Sequence, residues 1–456
     1  MKRKVPLLLL TIVLLAGAFF SARWLMQSLL VPSPAQSAPA DPAHLRIGES
    51  FLDHLDAGRY DAALAMTTHR VREALAGGKL QEVWEALPKQ LGTRQSRTPL
   101  RGELVGETPT VTSTLTFGLL ALDARIVVTP EGAISGFRIV PAAKAPEPAP
   151  LENNSRFTEV EFAVGERERA LPGTLSVPNG EGPFPAIVLV HGSGPHDRDE
   201  TIGPNTPFRD LAHGLAERGV AVLRYEKRTF ARPQDFASGD FTVDDEVTDD
   251  AVAAIAQLRA DARIDSVRVF VAGHSLGAMM APRIAERAPE LAGLILLAAP
   301  ARPLQDIVVE QVGYLAARDG DISAEEQASI DDMSAKAAAV ATLDASSPAS
   351  ATLLGLPPRY WMDLREYDPR TTASRLSQPI LVAQGGRDYQ VTQQGDFNLW
   401  LADFGDVQRV QFGLYPELNH LFIAGAGASN PEEYLIAGSV DVRVINAIAA
   451  FVGAGQ

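Results

Sequence analysis

The pentapeptide Gly273-His274-Ser275-Leu276-Gly277 follows directly on the apolar run Val267-Arg268-Val269-Phe270-Val271-Ala272. A G-x-S-x-G at the junction of a strand and a helix leaves a chain little architectural freedom. The serine must sit on a tight, strained turn, and a side chain at either flanking glycine would collide with the neighbouring strand or helix. Such a turn lifts the serine Oγ clear of the sheet edge, where a base can reach it. The context matches: the run before the motif reads as a buried strand, and Ala278-Met279-Met280-Ala281-Pro282-Arg283-Ile284-Ala285 reads as the start of a packed helix.

Where a serine stands on this kind of turn, its acid and base follow it in the order serine, acid, histidine. Of the eight histidines only His420 comes after Ser275. Upstream of it, Val407-Gln408-Arg409-Val410-Gln411-Phe412 alternates apolar and polar residues as a strand does, and Gly413 to Asn419 reads as the loop that delivers His420. A lone histidine is more simply a surface or core residue, but this position after the turn assigns His420 the role of general base. Asp388 is the candidate acid. It follows the short apolar strand Pro379-Ile380-Leu381-Val382-Ala383-Gln384 through the turn Gly385-Gly386-Arg387. A carboxylate at the C-terminal edge of a parallel strand can fix the imidazole tautomer and stabilise the imidazolium. Asp396 and Asp403 are assigned instead to a solvated helix face.

A further apolar run, Pro185-Ala186-Ile187-Val188-Leu189-Val190, ends in His191-Gly192-Ser193-Gly194-Pro195. Small residues here let backbone amides face a developing oxyanion. The expected donors are the N–H groups of Ser193, with Gly192 and Gly194 as alternatives, and of Leu276, the residue after the serine. His191 precedes Ser275 in the chain and reads as structural.

Taken together these stretches resemble the α/β-hydrolase superfamily, and within it the bacterial esterases grouped with dienelactone-hydrolase-like proteins. The likeness is carried by His191 to Glu200 (HGSGPHDRDE), Leu223-Arg224-Tyr225-Glu226-Lys227-Arg228, the Ser275 pentapeptide, Gln384 to Val391 (QGGRDYQV) and Leu418-Asn419-His420-Leu421-Phe422, and it runs from about Arg156 onward. It implies an α/β fold with a mostly parallel sheet and a helical cap. It also implies hydrolysis of a small-molecule carboxylic ester through Ser275, Asp388 and His420 and an acyl-enzyme, with no cofactor. Dienelactone hydrolases proper use a cysteine nucleophile, and this chain departs from that pattern because it has no cysteine.

The 456 residues suggest more than one domain. The absence of cysteine excludes disulfides and thiolate metal sites, and no H-E-x-x-H or comparable metal spacing occurs. A formal net charge of −15 argues against a nucleic-acid partner. Residues 1–30, with Lys2-Arg3-Lys4 ahead of an apolar stretch from Val5 to Phe20, read as a signal peptide or a membrane anchor. The basic end stays on the cytoplasmic side, so the body is expected to be exported, periplasmic or extracellular, and tethered if the segment is retained. Linkers are expected at 31–43 and, rich in proline, at 141–155. Between them, residues 44–140 start helical at Phe51, Leu52 and Leu55 and then turn to strands over 110–117, 124–128 and 134–140. That order resembles the small cone-shaped nuclear-transport-factor-like α+β fold, for which binding or pairing is the expected role. From Arg156 to the end, strands alternate with helices, as in a parallel sheet covered on both faces. The alternation is interrupted by alanine-rich, acidic sequence at about 302–366, the expected cap, in which Tyr360-Trp361-Met362 either line the pocket or pack in the core.

Other functions fit the same residues. A peptidase or amidase would cleave amides, and an acyltransferase would prefer an alcohol to water. An envelope binding protein working through residues 44–140 would show ligand binding without ester turnover.

Overall fold

The computed structural model describes residues 42–453 except 92–93, 95, 106–107, 118–120, 142–150 and 237. The expected targeting segment 1–30, nearly all of the 31–43 linker and most of the 141–155 linker lie outside the described residues. Chain contacts divide the molecule into two units, separated between Ala149 and Pro150. Among the described residues no helix is long and apolar enough to cross a membrane.

The first unit opens with α1 (Pro42–Asp56), α2 (Tyr60–Ala65), α3 (His69–Leu75) and α4 (Lys79–Leu91). Phe51, Leu52 and Leu55 recur on one face of α1 and are buried against Val111, Leu115 and Ile126 of the sheet that follows. That sheet comprises β1 (Ser96–Arg97), β2 (Arg101–Val105), β3 (Thr108–Thr116), β4 (Ala121–Val128) and β5 (Ile134–Pro141), ordered β1-β3-β4-β5 with β2 also on β3, and every pair is antiparallel. The strands expected over 110–117, 124–128 and 134–140 correspond to β3, β4 and β5. Strands β1 and β2 are too short and too polar to register as an alternating pattern.

The second unit has the α/β-hydrolase architecture that the sequence implies. Its sheet runs β13-β12-β11-β10-β8-β9-β7-β6. The strands are β6 (Phe157–Val164), β7 (Leu171–Pro178), β8 (Phe184–Val190), β9 (Ala221–Tyr225), β10 (Ile264–His274), β11 (Gly293–Leu297), β12 (Ile380–Gly385) and β13 (Val410–Tyr415). Pairing is parallel from β13 through β9, and only β7 runs against its neighbours. Each residue of β11 and β12 is buried, as expected for strands covered on both faces. The helices are α5 (Pro207–Ala216), α6 (Arg228–Ala231), α7 (Asp249–Arg259), α8 (Leu276–Arg287), α9 (Leu304–Ala316), α10 (Ala324–Ala339), α11 (Pro358–Arg365), α12 (Pro369–Arg375), α13 (Asn398–Phe404) and α14 (Val442–Val452). Helices α9, α10 and α11 form the insertion between β11 and β12, in the interval read as the cap.

Two local expectations are corrected. The last strand starts at Val410, because Val407 to Arg409 belong to the turn after α13, and it continues through Tyr415, whose register partner is Gly385. The loop that carries His420 therefore begins at Pro416. Asp396 does not face solvent: it is fully buried, accepting from the Ala301 amide and pairing with Arg302. A buried carboxylate needs such a counter-charge, and its partner lies too far away in sequence to be read. Asp403 is exposed and pairs with Arg370.

Candidate active site

The turn after β10 explains both glycines of the pentapeptide. A Cβ on Gly273 would lie 2.1 Å from the Gly277 carbonyl oxygen, and one on Gly277 would lie 2.2 Å from the Val190 oxygen of β8. No side chain fits at such distances, so α8 can start directly above the sheet only with glycine at both places. Between them Ser275 takes φ +53° and ψ −118°, a region that a non-glycine residue occupies only when its surroundings impose it. The Ser275 amide, held to the Leu297 carbonyl at 2.9 Å, anchors the turn to β11.

Asp388 and His420 meet. His420 Nδ1 lies 2.7 Å from Asp388 Oδ2, and both residues are buried. The carboxylate is fully oriented: Oδ1 accepts from the Gln390 and Val391 amides at 2.8 and 3.0 Å, and Oδ2 also accepts from Gln384 Nε2 at 3.1 Å. Since a carboxylate only accepts, Nδ1 carries the proton and Nε2 is left as the basic nitrogen. His420 stands at the Ser275 end of the sheet, its ring 4.6 Å from that of His274, the neighbour of Ser275. Among the hydrogen bonds of the described residues there is none from Ser275 Oγ to His420. Such contacts commonly close only when substrate is bound.

The donors expected for an oxyanion are resolved further by their neighbours. The Gly192 amide is already committed to Glu200 Oε1 at 2.7 Å, which removes it from the alternatives. The Ser193 and Leu276 amides have no backbone acceptor among the described residues, the latter because it opens α8. Both residues line one cleft, of about 50 Å³, which Leu304, Val308, Tyr360 and Trp361 of the insertion also line. Tyr360 and Trp361 thus serve both roles weighed for them, lining the cleft while being almost wholly buried.

Residues that sequence reasoning left unassigned surround this site. Glu200 Oε2 lies 3.0 Å from His274 Nδ1, off the line of a directed hydrogen bond, while His274 Nε2 lies 3.0 Å from the His420 carbonyl oxygen. Burial works against the Glu200 charge, yet His274 beside it holds the carboxyl down at about 2. Burial likewise opposes charging His274, but Glu200 and the His420 carbonyl raise its pKa above the ordinary imidazole value. His191 is driven down to about 3 by burial and is neutral, in keeping with a structural role. Lys227 Nζ donates to the Gly192 carbonyl at 2.7 Å and sits 2.6 Å from Glu246, which in turn accepts from the Tyr360 hydroxyl at 2.6 Å. Glu200 and Lys227 lie in the quoted stretches HGSGPHDRDE and LRYEKR, but no local pattern there marks either as buried. Among the described residues no cluster of His, Cys, Asp or Glu is arranged to hold a metal ion.

Comparison with known proteins places the chain. The family described as serine aminopeptidase, S33, matches residues 182–424. Esterase EstD of Thermotoga maritima is 38% identical over 400 residues, spanning 88% of this chain and 93% of that protein. Among solved structures, Est1E from Butyrivibrio proteoclasticus aligns with 64% of this chain and 96% of its own at 16% identity and a TM-score of 0.39. A putative dienelactone hydrolase from Klebsiella pneumoniae aligns with 65% of this chain and 98% of its own at 16% identity and a TM-score of 0.38.

Proposed function

The chain belongs to the S33 serine aminopeptidase family of α/β-hydrolases, and on that premise we propose that it hydrolyses carboxylic esters through Ser275, His420 and Asp388. The observation that carries this reading is the buried Asp388–His420 pair, 2.7 Å apart, at the same end of the sheet as the strained Ser275 turn. His420 Nε2 takes the Ser275 proton as Oγ attacks the ester carbonyl. The Ser193 and Leu276 amides hold the resulting oxyanion, and the proton passes to the leaving alcohol. Water, deprotonated by the same nitrogen, then adds to the acyl-enzyme and releases the acid and Ser275. The identity to an esterase over most of both chains supports ester rather than amide as the bond cleaved.

The test is Ser275→Ala. Turnover of p-nitrophenyl acetate should fall to background while the thermal unfolding midpoint and circular dichroism stay at wild-type values; persisting turnover would overturn the reading. Because the family takes its description from an aminopeptidase, amide cleavage is the second reading. Aminoacyl p-nitroanilides measured beside the esters decide between them. The helices followed by an antiparallel sheet support a nuclear-transport-factor-like identity for residues 44–140, with a binding role. The basic and then apolar pattern of residues 1–30 supports export, with the segment either cleaved or kept as a tether.

A further inference from the structure

The Gly192–Ser193 peptide has a carbonyl at one edge and, at the other, the amide assigned to the oxyanion. Among the described residues the Gly192–Ser193 peptide is not one of the cis bonds, so it is trans and its C=O and N–H point in opposite directions within one plane. Whatever fixes the direction of the Gly192 carbonyl therefore fixes the direction of the Ser193 N–H. Lys227 Nζ donates to that carbonyl at 2.7 Å, and the preceding peptide is held independently, its Gly192 N–H donating to Glu200 Oε1 at 2.7 Å. The gripped segment lies directly against the nucleophile turn, since a Cβ on Gly192 would come within 3.2 Å of Ser275 Cβ.

Resting on the esterase reading above, we propose that Lys227 and Glu200 are positioning residues that clamp the two peptides of Gly192 and thereby aim the Ser193 N–H into the cleft. The chemistry of the clamp suits the task. Lys227 is 3% exposed and could not remain a buried ammonium alone. Glu246, 2.6 Å away, supplies the counter-charge, and the Tyr360 hydroxyl of α11 occupies the other carboxylate oxygen. An ammonium on the carbonyl also draws electron density toward the oxygen, making the N–H at the other edge a better donor. The relay Tyr360–Glu246–Lys227–Gly192 ties the oxyanion segment to the insertion. Its counterpart Glu200–His274, ending on the His420 carbonyl, ties the segment to the histidine loop. The insertion and the histidine loop, distant in sequence, are thus both tied to the two peptides of Gly192.

The competing account makes Lys227 a mere partner for the buried Glu246. The charge-balanced double variant Lys227→Met/Glu246→Gln separates the two, because it removes the ammonium while leaving no buried charge unpaired and keeps an acceptor for Tyr360. With the thermal midpoint confirming a folded protein, the clamp requires kcat to fall about 10- to 100-fold, less than or comparable to loss of an oxyanion donor, with KM little changed. Wild-type kcat in this variant would overturn the clamp, as would an equal loss in kcat/KM carried by KM alone. Hydrogen exchange of a peptide covering 191–195 reads the grip without using catalysis: exchange should quicken in the double variant, and unchanged exchange overturns the proposal. Ser275→Ala, run beside them, tests the esterase reading separately. If that variant stays active, the esterase reading falls, and the exchange result still decides whether the clamp exists.

Discussion

Glu200 is 1% exposed, adopts φ +52° and bridges the Gly192 amide to His274. Its burial is tolerated because the charge is matched, and that match has a pH signature. The folded carboxyl is held from an ordinary 4.5 down to about 2, so its contribution is fully present above 4.5 and is lost as pH falls through about 2. His274 has the opposite sign: its raised pKa gives a contribution complete below about 6.5, the ordinary imidazole value, and lost as pH rises through the folded value. The pair is therefore at full strength only in the mildly acidic interval between. Glu159, lowered to about 2 despite its burial by His213 and Arg224, loses its contribution over the same acid range. Only a comparison with a variant isolates Glu200. We expect Glu200→Gln, which keeps an acceptor for Gly192, to be less stable than wild type near pH 6. The gap should close as pH falls from about 4.5 toward 2, as read from urea unfolding free energies. A gap that stays constant across that range would mean that the charge contributes nothing. None of this was legible beforehand. The partners of Glu200 lie on β10 and the histidine loop, and no local pattern distinguishes a buried acid from a solvated one.

Elements were read well where one physical rule governed them. The central strands β8, β11 and β12, and β10 from Val269 onward, are buried on both faces and so appear as short apolar runs, although Val267 at the start of the β10 run is exposed; the Ser275 pentapeptide announces its own turn. Reading failed where the register was set elsewhere. Strand β13 starts at Val410 because Ile380 on β12 pairs there, although the alternating pattern begins at Val407. The insertion was read as a helical cap, but it is alanine-rich and its packing partners are supplied by the core, so its individual helices could not be delimited. The junction of β10 and α8 is the element on which the site stands, and it leaves no slack. In Gly277→Ala the new methyl meets the Val190 oxygen at 2.2 Å, so α8 must move off β8 and carry the Leu276 amide with it. The expected cost is about 1–3 kcal/mol of stability, as for other overpacked sites. It should come with a loss in kcat larger than any change in KM, measured by calorimetry and steady-state ester kinetics. An alanine variant with wild-type kcat would show that the amide position is not critical.

At the scale of the molecule the apolar interior is partitioned. Among the described residues, the cluster around Phe51, Leu55 and Ile126 draws only on the first unit. The clusters on the two faces of the large sheet, and the one around Tyr389 and Tyr434, draw only on the second. Cooperative folding follows a shared core, and each unit has its own. The assigned site residues Ser275, Asp388, His420, Ser193 and Leu276, together with the clamp residues Lys227 and Glu200, all belong to the second unit. Nothing in that set calls on the first. Residues 151–456 produced alone should therefore unfold in a single cooperative transition and hydrolyse p-nitrophenyl esters with the kcat of the full chain, and residues 42–141 should add nothing to turnover when mixed back. A folded second unit that has lost turnover would place part of the working site on the first unit and would require the small sheet to be treated as a catalytic partner. Intact turnover with poorer handling of bulky or polymeric esters would instead assign the first unit to substrate capture, the role that its separate core leaves open to it.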